Sequence, residues 1–365
     1  MYHEYSKVSK TQFHAFRSIL DSMPKNIVFC ADGTWNHPHS PAMVEQADTN
    51  VYKLSQMIEN SSSQRVFYDD GVGTDGLAIG RLLGGAFGQG LFQKVKDGYT
   101  AIAHVSQPGD RIYIYGFSRG AYTARSVAGM ITACGLPTKS FQPQLVDTAF
   151  QAYRERDKTK RAAILKALDE FVLQVPTIQV LGVWDTVGAL GIPAIFGQSD
   201  EILYGFLDTN LHPNVLNAFQ ALAIDERRRE FMPTLWTSVP AAGQQLQQVW
   251  FTGVHSDVGG GYAQCGLSDI TLNWILQPSI DLGLRPIPEA VDASLDFAPA
   301  SKLIAQKHAL DQVHESWNVL WLLPQHRTIA EGSLLGNSVE VRLQHDPTYK
   351  PQNLPTRRTA VPVVA

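Results

Sequence analysis

The chain has 365 residues, of which 44% are hydrophobic and 18% charged, with a net charge of −4. That composition supports a large core and excludes a disordered chain, and the lack of a long basic run excludes a nucleic-acid surface. Cys30, Cys134 and Cys265 lack Cys-x-x-Cys spacing, so they read as small apolar fillers in a reducing compartment rather than a disulfide frame.

Residues 1–25 form an N-terminal extension. It has no basic start followed by an apolar core, so no secretory leader is expected. No apolar run is long enough to span a bilayer. The chain is therefore expected in the cytoplasm, or exported by a leaderless route. "NIVFCADG" (26–33) is short, β-branched and ends at Asp-Gly, which predicts a strand and a turn. Val51, Leu54 and Met57 recur at helical spacing within 44–59. "RVFYDDG" predicts a second strand, and the Gly-rich run after it leads into an amphipathic helix ending near His104. A strand over 111–115 and a helix over 120–134 follow, then helices over 142–154 and 158–172. "TIQVLGVWD" (177–185) and "LQQVWFTGVH" (246–255) predict two more buried strands. "LSDITLNWILQ" opens a helix with Ser268 or Asp269 as its cap. The Pro-rich residues 355–365 predict an extended tail. Strands alternate with helices without a fixed repeat, which predicts an α/β fold: a mostly parallel central sheet with helices on both faces. Residues 26–354 read as one domain with insertions.

The informative stretch is "RIYIYGFSRG" (111–120). An apolar strand runs into Gly116-Phe117-Ser118-Arg119-Gly120 and then into a helix. A nucleophilic serine on a sharp strand-to-helix turn needs a glycine two residues before and two after, because side chains there collide with neighbouring elements. The competing reading is a serine that caps the following helix. A hydroxyl needs an adjacent base to attack at neutral pH, and the hydrolase chain order is Ser, then Asp or Glu, then His. Asp185 ends an apolar strand. His255 follows the next clear strand and precedes Gly259-Gly260-Gly261, which lets backbone approach it. Asp208 and Asp257 are rivals for the acid, although Asp257 stands too close to His255 and suits tying the loop backbone together. Oxyanion donors are expected from the backbone N–H of Arg119 and from the loop after the first strand, at Gly33 or Thr34. This chemistry requires no metal and no organic cofactor.

The motifs "VFCADGTWN", "DDGVGT", "IYGFSRGAYTARSVAGMI", "GVWDTVGALG", "ALAIDERRREFMPTLW", "WFTGVHSDVGGGY" and "YKPQNLP" occur in this order. Together they resemble the catalytic domain of the first-class type VI secretion lipase effectors, a family long filed as an uncharacterised α/β-hydrolase domain. The resemblance implies an α/β-hydrolase fold and a triad of Ser118, Asp185 and His255. It also implies phospholipid acyl esters as substrates, peripheral membrane contact, and an immunity protein or secretion apparatus as partner. The alternatives are a cytoplasmic hydrolase of small esters, thioesters or polyesters, and a non-catalytic binding protein on the same fold.

Overall fold

The computed structural model describes residues 23–33, 46–70, 86–137, 141–168, 173–187, 210–295, 307–317 and 324–363. Its strands are β1 (Asn26–Ala31), β2 (Gln46–Thr49), β3 (Gln64–Asp69), β4 (Arg111–Phe117), β5 (Leu136–Pro137), β6 (Leu173–Gln174), β7 (Ile178–Trp184), β8 (Val215–Ala223), β9 (Gln245–Phe251), β10 (Gly260–Tyr262), β11 (Leu334–Gly336) and β12 (Thr359–Val361). Eight of them form one sheet in the order β12-β11-β9-β8-β7-β4-β1-β3, and every neighbouring pair is parallel.

Parallel strands buried on both faces need near-continuous apolar sequence, and β1 is buried at all six positions. Alternate residues of β1 serve opposite layers. Ile27 and Phe29 pack with the helices Ala86–Val105 and Arg119–Cys134 on one face. Val28 and Cys30 pack with the helices Asn50–Met57 and Gly266–Asp281 on the other. These helix-covered faces make the molecule an α/β fold with a parallel central sheet. Cys30 and Cys134 are buried free thiols, whereas Cys265 is only partly buried.

The order of strands locates the site. The chain moves from β1 outward to β3, then returns to the other side of β1 with β4 and continues outward through β7, β8 and β9. The strand order thus reverses between β1 and β4. Loops leaving the C-terminal ends of those two strands diverge there, which opens a crevice for a ligand. The register sets Phe117 of β4 opposite Trp184 of β7, so Ser118 and Asp185 emerge side by side at that rim.

Several expectations change. Val215–Ala223 is a central strand, although nothing in its sequence was read as one. The helix over 266–281 begins at Gly266, with Cys265 at its cap position and no side-chain cap bond. Ser268 Oγ instead donates to the Cys265 carbonyl, and Asp269 accepts from Lys53 and from the Cys265 thiol. Residues 355–365, expected as a tail outside the domain, contribute β12, which pairs with β11 at the sheet edge. The 1–22 part of the N-terminal extension lies outside the described residues. Among the described residues, no helix is long and apolar enough to cross a membrane.

Candidate active site

Ser118 occupies the turn between β4 and the helix Arg119–Cys134, with φ 58° and ψ −121°. A non-glycine residue at positive φ is strained, and such strain persists only where the surroundings impose it. Here they do. The Ser118 N–H donates to the Trp184 carbonyl at 3.0 Å. A Cβ on Gly116 would lie 2.4 Å from the Gly120 carbonyl oxygen, and one on Gly120 would lie 2.1 Å from that of Ala31. The two glycines therefore let the helix start almost touch β1 and β4. Ser118 sits at the helix cap position, yet its side chain makes no cap hydrogen bond. The capping reading of this serine fails on that observation.

Asp185 is the other described non-glycine residue at positive φ, at 42°. Its N–H donates to the Ala221 carbonyl at 2.8 Å, which turns the side chain in over the end of the sheet. The carboxylate is fully buried and accepts four hydrogen bonds. Oδ2 accepts from His255 Nδ1 at 2.6 Å and from Arg327 Nη2 at 2.8 Å; Oδ1 accepts from Arg327 Nη1 at 2.6 Å and from the Ala223 N–H at 3.1 Å. Burial pushes its pKa up, but the Arg327 charge and the bonds from His255 and Arg327 outweigh this and hold it well below the usual carboxylate range.

His255 opens a short helix, His255–Gly259, just after β9. Its imidazole packs on Phe117, with ring centroids 4.6 Å apart, and meets Phe231 edge-on at 4.9 Å. Phe117 immediately precedes Ser118, so the imidazole lies beside the elbow. A Cβ on Gly259 would come within 1.9 Å of Phe117, so the missing side chain is what lets the histidine loop close over the strand end. With Nδ1 bonded to Asp185, Nε2 is the atom left for a hydroxyl. Burial lowers the His255 pKa, and the hydrogen bond and charge of Asp185 only partly restore it. The ring is thereby kept neutral and able to accept a proton near pH 7.

Of the two rival acids, Asp257 is engaged elsewhere. Asp257 bonds His314 Nδ1 at 2.5 Å and accepts from the Val254 and His314 backbone N–H groups, which ties the loop together as its sequence position suggested. Asp208 lies outside the described residues. Of the expected oxyanion donors, Arg119 is the first residue of its helix, where N–H groups lack intrahelical acceptors. The Gly33 N–H donates to its neighbour Asp32 Oδ1 at 2.6 Å, and Thr34 lies outside the described residues.

Asp32 is buried just beyond the end of β1. Its other oxygen accepts from Thr49 Oγ1 and from the Tyr68 hydroxyl. Burial nevertheless dominates over these three donors and raises its pKa to about 6. A carboxyl whose folded pKa exceeds its unfolded value binds more protons in the folded state, so stability falls as pH rises between the two values. A shift of two units corresponds to on the order of 3 kcal/mol. Urea unfolding of wild type should show that loss between about pH 4 and pH 6, and Asp32→Asn should flatten the profile in that window. An unchanged slope in the variant would mean that Asp32 is ionised at no cost.

Two charged residues of the site were missed. Arg327 is described above. Glu226 is fully buried and holds Arg228 through Nε and Nη2, both at 2.8 Å; it also accepts from Ser316 Oγ and from the His255 N–H. Burial raises the Glu226 pKa, but Arg228 and neighbouring positive charge bring it down to about 2. The sequence around Glu226, Asp225-Glu226-Arg227-Arg228-Arg229, is rich in charge and gives no hint of burial, and nothing near Arg327 marks it.

Comparison with known proteins agrees with the motif order. Residues 25–278 match the family model for the T6SS, Phospholipase effector Tle1-like, catalytic domain. The yeast protein YEL023C, from Saccharomyces cerevisiae, is 29% identical over 243 residues, covering 60% of this chain and 34% of the yeast protein. An uncharacterized protein from Pseudomonas aeruginosa has a crystal structure similar over 82% of this chain and 52% of its own, with 17% identity and a TM-score of 0.45. The Tle1 effector bound to the VgrG spike is similar over 66% of this chain and 51% of its own, with 18% identity and a TM-score of 0.38. The chain spans about a third of the yeast protein and about half of each solved one. The family model covers well over half of the chain, on the stretch that carries Ser118, Asp185 and His255; the chain belongs to the Tle1-like phospholipase effector family of the type VI secretion system, through its catalytic domain.

Proposed function

We propose that the chain is a serine ester hydrolase that cleaves acyl esters, with phospholipids as its substrate class. The observation that carries this reading is the strained Ser118 elbow beside an imidazole whose Nδ1 is already bonded, at 2.6 Å, to a buried, ionised Asp185. In the proposed reaction Ser118 Oγ attacks the ester carbonyl carbon while His255 Nε2 takes the hydroxyl proton. Asp185 holds the imidazole tautomer and stabilises the imidazolium. The N–H of Arg119 faces the developing oxyanion, with a second donor from the loop at Gly33 or Thr34. Arg119, the residue after the nucleophile, is the donor proposed first. The carbonyl–alkoxy bond then breaks, His255 returns its proton to the leaving alcohol, and an acyl-serine remains. Water attacks that ester and gives a proton to His255, which passes it to Ser118 Oγ as the acyl–oxygen bond breaks, releasing the acid and the free serine.

Membership in a phospholipase effector family supports a lipid substrate, and with it a contact with the membrane surface and with the secretion apparatus. A fluorophosphonate probe tests the chemistry: wild type should be labelled at Ser118, shown by peptide mass spectrometry. Liposomes of defined phospholipids, compared with short soluble esters, test the substrate class. Release of fatty acid from vesicles, faster than from monomeric esters, is the expected result. Absence of labelling at Ser118 would sink the serine mechanism, and activity confined to soluble esters would sink the phospholipid assignment.

A further inference from the structure

Asp185 is the partner of two side chains, and Arg327 binds it more extensively than His255 does. Both guanidinium Nη atoms take a carboxylate oxygen, at 2.6 and 2.8 Å. Neither side chain is exposed to solvent. Arg327 is itself fixed from outside, donating to the Ala223 carbonyl at 2.8 Å and to the Phe231 carbonyl. It therefore bridges the end of β8 and the segment that carries Phe231, one of the two rings enclosing His255. The planar fork of a guanidinium matches a carboxylate through two parallel bonds, a fit that an ammonium cannot reproduce. Arg327 lies beyond the region matched by the family model, which ends at residue 278.

Among the described residues, the charges facing His255 form two pairs. Asp185 is matched by Arg327, and Glu226, which accepts from the His255 N–H, is matched by Arg228. Two aromatic rings among the described residues, Phe117 and Phe231, also pack on the imidazole. An unpaired carboxylate beside an imidazole favours the imidazolium, whereas a carboxylate already neutralised favours it less. We infer that Arg327 is a positioning residue of this site: it aims the Asp185 carboxylate at His255 Nδ1 and cancels the charge that would otherwise keep a proton on the imidazole. This rests on the serine-hydrolase reading for its catalytic meaning, but the effect on His255 does not require turnover.

The test uses Arg327→Lys, which keeps the charge and loses the fork, and Arg327→Met, which loses both. The first readout is the NMR titration of the His255 imidazole, assigned by the signal lost in His255→Gln. In Arg327→Met the imidazole should titrate at higher pH than in wild type, and in Arg327→Lys close to wild type. The second readout is hydrolysis of a p-nitrophenyl ester. Arg327→Lys should lower kcat by about ten- to a hundredfold, because small misplacements of a catalytic group cost that much, with KM unchanged. Unchanged titration in Arg327→Met together with unchanged kcat in Arg327→Lys overturns the inference. So does a loss of activity that only tracks the folded fraction. Removing one partner of a buried ion pair is destabilising; if Arg327→Met does not fold, the kcat of Arg327→Lys per folded molecule decides alone. If wild type itself shows no labelling at Ser118 and no turnover, the serine-hydrolase reading falls, and the His255 titration still decides the role of Arg327.

Discussion

Ser118→Ala is expected to lower kcat by about 10⁵- to 10⁶-fold while leaving the fold intact, since removing the nucleophile of a triad has an effect of that size. The side chain makes no cap bond in the structure, and alanine tolerates the local backbone no worse than serine does. The melting temperature should therefore stay within about 1 °C of wild type, since even a 1 kcal/mol loss shifts a domain of about 150–250 residues by only about 2–4 °C and a larger one by less. His255→Ala should produce a loss of similar size. The Ser118→Ala/His255→Ala double variant should be little worse than either single one, because nucleophile and base act as one unit. Assays on a p-nitrophenyl ester, run beside circular dichroism melts, would check all three proteins. A Ser118→Ala protein that retained even a tenth of wild-type turnover would leave this serine without a chemical role.

The largest effect on stability is expected at Gly120. A Cβ there would stand 2.1 Å from the Ala31 carbonyl oxygen and 2.4 Å from that of Asp32. Both are backbone atoms at the end of β1, so no rotamer change relieves the clash. Either the helix Arg119–Cys134 lifts off β1 or the elbow opens, and Gly120→Ala should cost roughly 3 kcal/mol or more, the upper range for overpacking. Gly129→Ala in the same helix is the matched control. The atoms nearest its Cβ would be side-chain atoms of His212 and Tyr153, at 3.0 to 3.1 Å. A shift of a few tenths of an ångström relieves that contact, against backbone overlaps of 2.1 and 2.4 Å at Gly120, and a helical alanine regains up to about 1 kcal/mol over glycine, so the net change should be much smaller. Urea midpoints for the two variants would give the difference directly. Equal midpoints would show that helix propensity and not close approach governs both sites.

How much of this was legible depends on whether the signal is local. The nucleophile elbow was, because its requirements are written within ten residues: an apolar strand, two glycines at fixed offsets, and a helix. Asp185 and His255 were, because each directly follows a strand whose apolar run can be read without a partner. The strand Val215–Ala223 was not. Asn217, Ala218, Gln220, Ala221 and Ala223 favour helix or are neutral, and they are held extended because β7 and β9 pair with them on either side. The cap of the helix Gly266–Asp281 was misread for a related reason. Ser268 and Asp269 have the chemistry of caps, but Asp269 serves Lys53, far away in the chain.

From the order of residues alone followed which groups are proposed to react, since hydroxyl, carboxylate and imidazole at strand ends announce themselves by local pattern and spacing. Which charges surround them did not follow. Glu226 and Arg327 look like ordinary surface ions in the linear chain. They become parts of the site because sheet order brings the ends of β7, β8 and β9 together, and because a carboxylate buried there without a counter-ion would be too costly to remain ionised.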